Sequence, residues 1–214
     1  MAQYAKKLVE ANGFKNIEVI HTTIEDLELP EKVDTMISEP LGIFLLNERM
    51  LETFVIARKK FLKPGGKMFP TRADLFLVPF TDQDIEDEQL YKCEFWKEKD
   101  HFGVDFSCLH PEAVRQKFQS PVCDTISVDK CLSAPVRREF NFETCSLEDL
   151  MLIDWHFEHT IKKTALLHGY MLYFDAYFEG TDNQFVLHTG PEHPPTHWYA
   201  IRLLLEEPIG VNRT

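Results

Sequence analysis

Two glutamates frame the stretch "SEPLGIFLLNERM": Glu39 just past an apolar run, and Glu48 beyond Leu41, Gly42, Ile43, Phe44, Leu45 and Leu46. Two carboxylates at the ends of an apolar loop can grip one cation from different sides. The apolar residues anchor the loop in the interior, and an acidic pair in such surroundings costs free energy through desolvation unless a cation or donor compensates it. A guanidinium fits best, because it is planar, always charged, and presents a fork of N–H donors. A metal would want further His or Asp at coordinating spacing, which the loop does not offer, so no metal site is assigned. A plainer account makes Glu39 a solvated strand-end residue and Glu48 a first-turn acid favoured by the helix dipole.

The surrounding elements must hold that loop. Upstream, "MAQYAKKLVEANGF" reads as a helix with Gly13 at its C-terminus, "NIEVIH" as a short buried strand, and "EKVDTMIS" as a second strand. Downstream, "NERMLETFVIARKKFL" carries a stripe of Leu51, Phe54, Val55, Arg58, Phe61 and Leu62, stopped by Pro64-Gly65-Gly66 before a strand at "KMFP". Strand, helix and strand in this order predict a parallel α/β sheet, whose ligands sit at the carboxyl ends of the strands, where Glu39 falls.

After Pro70 the texture changes to aromatic and β-branched stretches: "ADLFLVPF", "PVRREFNF", "LIDWHFEHT", "ALLHGYMLYFDAYF", "QFVLHTG" and "HWYAIRLLL". They predict an antiparallel barrel or sandwich. "DQDIEDEQL" reads as a helix, with a charge run that is either a solvated face or a lure for basic tails. The segment around "EFWKEKDHFGVDF" is an excursion from the sheet. "HFEH" places His156 and His159 on opposite faces of the expected strand, which disfavours a metal hydrolase.

The 214-residue chain has 35 Asp+Glu against 23 Lys+Arg, a formal charge of −12, which repels nucleic acid and draws cationic partners. No apolar run is long enough to span a membrane, and the N-terminus lacks a signal-peptide pattern, so an intracellular protein is expected. Five cysteines, odd in number and widely spaced, read as buried free thiols.

"SEPLGIFLLNERML" resembles the double-glutamate loop of the protein arginine methyltransferases, and "PPTHWYAIRLLL" their Thr-His-Trp loop. Pro40, "NERML" and "THWY" are most like the coactivator-associated members, and "MFPT", "FGVDFS" and "PVCDTI" extend the likeness over nearly the whole chain. The resemblance implies the C-terminal part of a Rossmann-like S-adenosylmethionine domain over 1–70. An antiparallel β-barrel substrate domain over 71–214 would follow, with an inserted helical dimerisation arm at about 91–110. It also implies methyl transfer from S-adenosyl-L-methionine to arginine of histone tails and other nuclear proteins, in the nucleus and cytoplasm, by a homodimer that touches neither nucleic acid nor membrane.

Residue by residue, the resemblance assigns Glu39, Glu48 and His197 to catalysis, and Trp198 with both glutamates to substrate binding. Ile24, Glu25, Met50 and Thr53 fall to the cofactor, although Ile24, Met50 and Thr53 also suit plain core packing. The family's glycine-rich loop and ribose-binding acid align before Met1, no Gly-x-Gly occurs, and Ile43 stands where relatives usually have Tyr. Two functional expectations therefore stand: part of an active arginine methyltransferase, or a non-catalytic relative that binds arginine-rich peptides or heterodimerises.

Overall fold

The computed structural model describes residues 1–213. Helix α1 (Ala2–Ala11) is capped by Asn12, and Gly13 follows at φ +70°, the left-handed position that glycine occupies without a Cβ penalty. The helix buries none of its residues. The strand expected at 16–21 does not form: this stretch is irregular and largely exposed, and pairs with no strand among the described residues. A strand needs a neighbour to satisfy its backbone groups, and among the described residues β1 (Val33–Ile37) pairs only with β2 (Leu62–Phe69).

Between β1 and β2 runs α2 (Met50–Phe61), and the two strands are parallel, as a strand–helix–strand unit requires. Leu51, Phe54, Val55, Ala57 and Phe61 form the buried face of α2. The helix stops at Phe61, so Leu62 belongs to β2 rather than to the helix stripe. Pro64-Gly65-Gly66 lies inside β2, at the point where the register jumps from Val33↔Leu62 to Thr35↔Lys67. There a proline and glycines are accommodated as an irregularity instead of ending the element.

The rest of the chain is one antiparallel sheet with strand order β4-β8-β6-β3-β5 and β7 beside β6. Its strands are β3 (Arg72–Phe80), β4 (Val122–Asp124), β5 (Val136–Asn141), β6 (Ala165–Glu179), β7 (Gln184–His188) and β8 (Ala200–Val211). The long β6 is the spine: β3 lies along one edge, while β8 and β7 share the other in succession. Gly169 permits this crowding, since a Cβ there would stand 2.1 Å from the Leu203 carbonyl oxygen.

One apolar cluster joins the two sheets: Leu45, Phe54, Val55 and Met68 pack with Leu75, Phe140, Phe142 and Phe174. Phe54 of α2 meets Phe142 edge-on at 6.2 Å. Fully burying each such side chain contributes about 1.5–3 kcal/mol, so α2 is fixed on the barrel mainly by this contact surface. Arg58 adds a polar clasp, donating to the carbonyls of Phe142 at 2.5 Å and Cys145 at 2.6 Å.

Helices α3 (Gln83–Tyr91) and α4 (His110–Phe118) flank the excursion at 91–110. This consists of turns at Glu94–Lys97 and Ser107–Leu109 and a bridge between His101 and Val104, rather than a long helix. Phe95, Trp96, His101 and Phe106 cluster their rings within 6.0 Å, while Phe102 is 95% exposed at the tip.

"LIDWHFEHT" is not a strand either. Helix α5 (Leu147–Met151), with a capping box between Ser146 and Asp149, precedes an irregular run in which Trp155, Phe157 and His159 pack edge-on or tilted in a row that ends on Tyr170. The alternation serves ring packing without a backbone ladder. Among the described residues no helix could cross a membrane, and no group of three His, Cys, Asp or Glu could hold a metal. The five thiols are free, but only Cys93 and Cys145 are buried, Cys108 and Cys123 being exposed, which corrects the expectation for those two.

Candidate functional site: the double-glutamate loop and the indole

The loop between β1 and α2 folds back on itself. Gly42 and Leu45 exchange backbone hydrogen bonds, and the Phe44 amide donates to Asn47 Oδ1 at 3.0 Å. A Cβ at Gly42 would stand 2.1 Å from the Asn47 carbonyl oxygen, so only glycine permits the closure. Leu41 and Leu45 are buried at 4% and 0% exposure and anchor the loop in the shared core.

The closure costs backbone strain. Leu45, Glu48 and Arg49 have φ of +74°, +69° and +58°, in a region side-chain-bearing residues rarely occupy; Phe102 at the arm tip is the other such residue among those described. Each costs on the order of 1–3 kcal/mol and persists where surrounding packing imposes it, commonly at ligand sites. Here the strained residues lie towards the end of the loop, where Leu45 is buried while Glu48 and Arg49 are exposed.

Both glutamates are exposed. The desolvation expected of an acidic pair in apolar surroundings is therefore absent: the apolar residues between them point into the core while the carboxylates stay in water. Glu39 Oε1 accepts from the Leu41 amide at 3.2 Å, which fixes its direction at the strand end. Arg49, the cation nearest Glu48 in sequence, turns instead to Glu52, with Nε–Oε1 at 2.7 Å and Nη2–Oε2 at 2.8 Å. This pairing holds the Glu52 carboxyl below its usual range and the Arg49 guanidinium above, hydrogen bonding being the largest cause of each. Among the described residues Glu48 has no hydrogen bond or ion pair, so it is free to meet a cation from outside.

At the carboxyl end of β1 lies an open cavity of about 460 Å³. Ile24, Glu39, Met50 and Thr53 line it together, with Thr35, Ser38 and several apolar side chains. Glu25 does not line it, but its carbonyl accepts from Lys60 Nζ of α2 at 2.9 Å, and Leu27's at 2.6 Å, tying this segment to the helix behind the cavity. Glu48, His197 and Trp198 lie outside the cavity wall.

The stretch after β7 reaches the loop from the barrel side. Trp198 Nε1 donates to the Leu41 carbonyl oxygen at 3.0 Å, two residues from Glu39. The indole is half-buried, packs edge-on to Phe174 at 6.0 Å, and carries the His197 ring against it at 3.7 Å. Thr196 Oγ1 accepts from the Trp198 amide at 3.1 Å and fixes the turn. Sequence reasoning missed the Leu41 carbonyl as the meeting point, because a backbone acceptor leaves no signal in residue type. It also missed Gly42 and Asn47, although a lone glycine in an apolar loop was a usable sign of close backbone approach.

Comparison with known proteins places this geometry. Residues 71–214 match the family model described as the arginine methyltransferase oligomerization subdomain. The chain is 45% identical over all 214 residues to the histone-arginine methyltransferase CARMER of Drosophila ananassae, and 44% to that of Drosophila virilis, spanning 40% of the length of each. Among solved structures it is similar to the Trypanosoma brucei PRMT1 enzyme-prozyme heterotetrameric complex with AdoHcy, at TM-score 0.81 and 30% identity, covering 99% of this chain and 65% of that one. It is also similar to Arabidopsis thaliana protein arginine methyltransferase 10, at TM-score 0.80 and 29% identity, covering 99% and 67%. With the family model matched over more than half its length, and the glutamate loop meeting the Thr-His-Trp loop in space, the chain belongs to the protein arginine methyltransferase family.

Proposed function

We propose that this chain carries the arginine-holding part of a protein-arginine N-methyltransferase of the type I kind. Its substrates would be arginines of histone tails and other nuclear proteins, its methyl donor S-adenosylmethionine, and its working form a nuclear homodimer. One observation carries the proposal: the Trp198 indole is hydrogen-bonded to the backbone of the loop that presents Glu39 and Glu48. A substrate guanidinium entering there finds two anions and an aromatic wall, which is the set a planar cation needs.

In this reading Glu39 and Glu48 hold the guanidinium and orient one nitrogen, and their charge offsets the repulsion between two cations in the transition state. Such preorganised charge and orientation are each worth several kcal/mol. Trp198 excludes water from one face of the slot. His197, exposed and tilted against Trp198, supports the indole and is within reach of solvent to pass on the proton that the substrate releases. The cavity at the end of β1 suits the donor in size and chemistry, since ligand sites of about 300–1,000 Å³ with mainly apolar walls and a few polar groups are typical. Ile24, Met50 and Thr53 would hold it there, with Glu25 behind them. When bound, S-adenosylmethionine supplies an electrophilic sulfonium methyl group.

The test is methyl transfer by the whole protein to an arginine-containing histone-tail peptide, read by mass spectrometry. The expected products are mono- and then dimethylarginine, with none from the matching lysine peptide and little from W198A. Equal labelling of arginine and lysine peptides would overturn the assignment.

A further inference from the structure

The indole sits on a strap from Thr189 to Trp198 that joins β7 to β8. At its start Thr189 is tied three times to Phe174: its amide donates to the Phe174 carbonyl at 3.2 Å, and its Oγ1 donates to the same carbonyl at 2.6 Å and accepts from the Phe174 amide at 3.0 Å. At its end the indole is tied to Leu41. In between, the His188 and His193 rings stack face to face, with centroids 4.0 Å apart and planes 10° from parallel.

The two imidazoles have unlike surroundings. His188 Nδ1 lies 2.9 Å from Asp175 Oδ2 on β6. Across the sheet Asp175 is paired in register with the buried Asp74, but the Asp74 carboxylate is taken up by Arg137 at 3.1 Å and Arg72 at 3.4 Å, so Asp175 is the carboxylate that faces His188. His193 is exposed, and its amide donates to the Gly190 carbonyl. With Pro195, Thr196, Trp198 and Tyr199 it lines a small cavity of about 160 Å³. Pro194-Pro195 connects it to Thr196, and two successive prolines with fixed φ transmit a displacement rather than absorb it.

We infer that His188 and His193 form a proton-sensitive latch on the strap that carries Trp198. One charged ring stacked on a neutral one is attractive, because a cation sits over a π face. Two charged rings at the same separation repel. Asp175 supplies the counter-charge for a proton on His188, and a second proton, on His193, opens the stack. The strap then loosens between its two anchors, and the indole is the anchor it pulls on.

The other ionisable groups facing the pair do not carry the switch. Burial pushes the Tyr173 phenol on β6 well up, so it stays neutral across the imidazole range. Glu192 is exposed and shares its electrostatic neighbourhood with Cys131 and Lys162, while the Tyr199 phenol is exposed as well. His197 touches Trp198 directly, so the test must separate its local ring effect.

The consequence for arginine binding rests on the function proposed above: acidification weakens the hold on a guanidinium by displacing the indole wall. The latch itself is tested by following the Trp198 indole N–H resonance of the 214-residue chain by NMR between about pH 7.5 and 5.5, where imidazoles titrate. W198F assigns the peak among the three tryptophans. The resonance should move with the His193 ring, and both H193Q and H188Q should remove that component, while H197Q removes only the local ring effect. Superimposable wild-type and H193Q curves would overturn the latch. In parallel, wild-type affinity for an arginine peptide should fall several-fold at the acid end and that of H193Q should not. An unchanged wild-type affinity overturns the functional coupling. If no arginine peptide binds at any pH while the resonance still follows His193, the arginine slot fails and the latch stands.

Discussion

The bond from Trp198 Nε1 to the Leu41 carbonyl isolates one contact between barrel and glutamate loop. W198F keeps the aromatic packing on Phe174 but leaves that carbonyl without its donor. It should lower stability by about 1 kcal/mol, towards 1–3 if water cannot replace the indole. A urea midpoint shifted at unchanged slope is the expected reading, and an unchanged midpoint would show that the bond adds nothing. At this scale the residue types were legible: two glutamates and an indole are a chemical statement in any order. Their burial was not, because whether a residue beside a leucine points in or out depends on backbone dihedrals that only the closed loop sets. The carboxylates proved exposed for that reason, and what constrains the loop is the positive φ at Leu45, Glu48 and Arg49.

Among the elements, the parallel pair β1 and β2 and the helix between them followed from periodicity, as did β3, β5, β6 and β7. The misreadings at 16–21 and 152–160 share a cause. Both stretches have the residue types of strands, but a strand forms only beside a partner edge, and partners are a property of the fold. The loop offers a sharper test of element geometry. G42A places a methyl where the Asn47 carbonyl stands, an overlap that forces the turn open and should cost about 1–3 kcal/mol. G66A would meet the Leu62 side chain and the Asp34 carbonyl and makes a poor control; G65A is strained at φ +76° but meets nothing, so it separates strain from collision. Thermal melts of G42A and G65A should differ, with G42A lower and with its Trp198 signal changed. The excursion at 91–110 presents Phe102 to solvent, and in a chain matching an oligomerization subdomain we propose that this ring meets a second copy. F102S should shift sedimentation towards monomer without lowering the melting temperature of the monomeric unit, and an unaltered sedimentation profile would place the contact elsewhere.

For the molecule as a whole, the shared cluster of Phe54, Phe142, Phe174 and their neighbours means that the α/β part and the barrel melt together, so one transition is expected. Its pH dependence includes a histidine term with a definite sign. Burial pushes His159 below the usual imidazole value, and Ser133 Oγ lies 2.8 Å from its Nδ1. The folded chain therefore binds fewer protons there than the unfolded chain. That contribution is complete above the ordinary histidine value, about 6.5, and is lost as pH falls through the lowered one. The urea midpoint should drop between about pH 7.5 and 5, and less in H159N than in wild type. The central claim, a guanidinium slot built by Glu39, Glu48 and Trp198, is tested most directly by calorimetric titration of an arginine-containing histone-tail peptide and its lysine counterpart into wild type, E39Q and E48Q. The account predicts saturable arginine-peptide binding that weakens at least about tenfold, or 1.4 kcal/mol, on changing arginine to lysine or either glutamate to glutamine. Arginine and lysine peptides binding alike, or binding indifferent to E48Q, would contradict it.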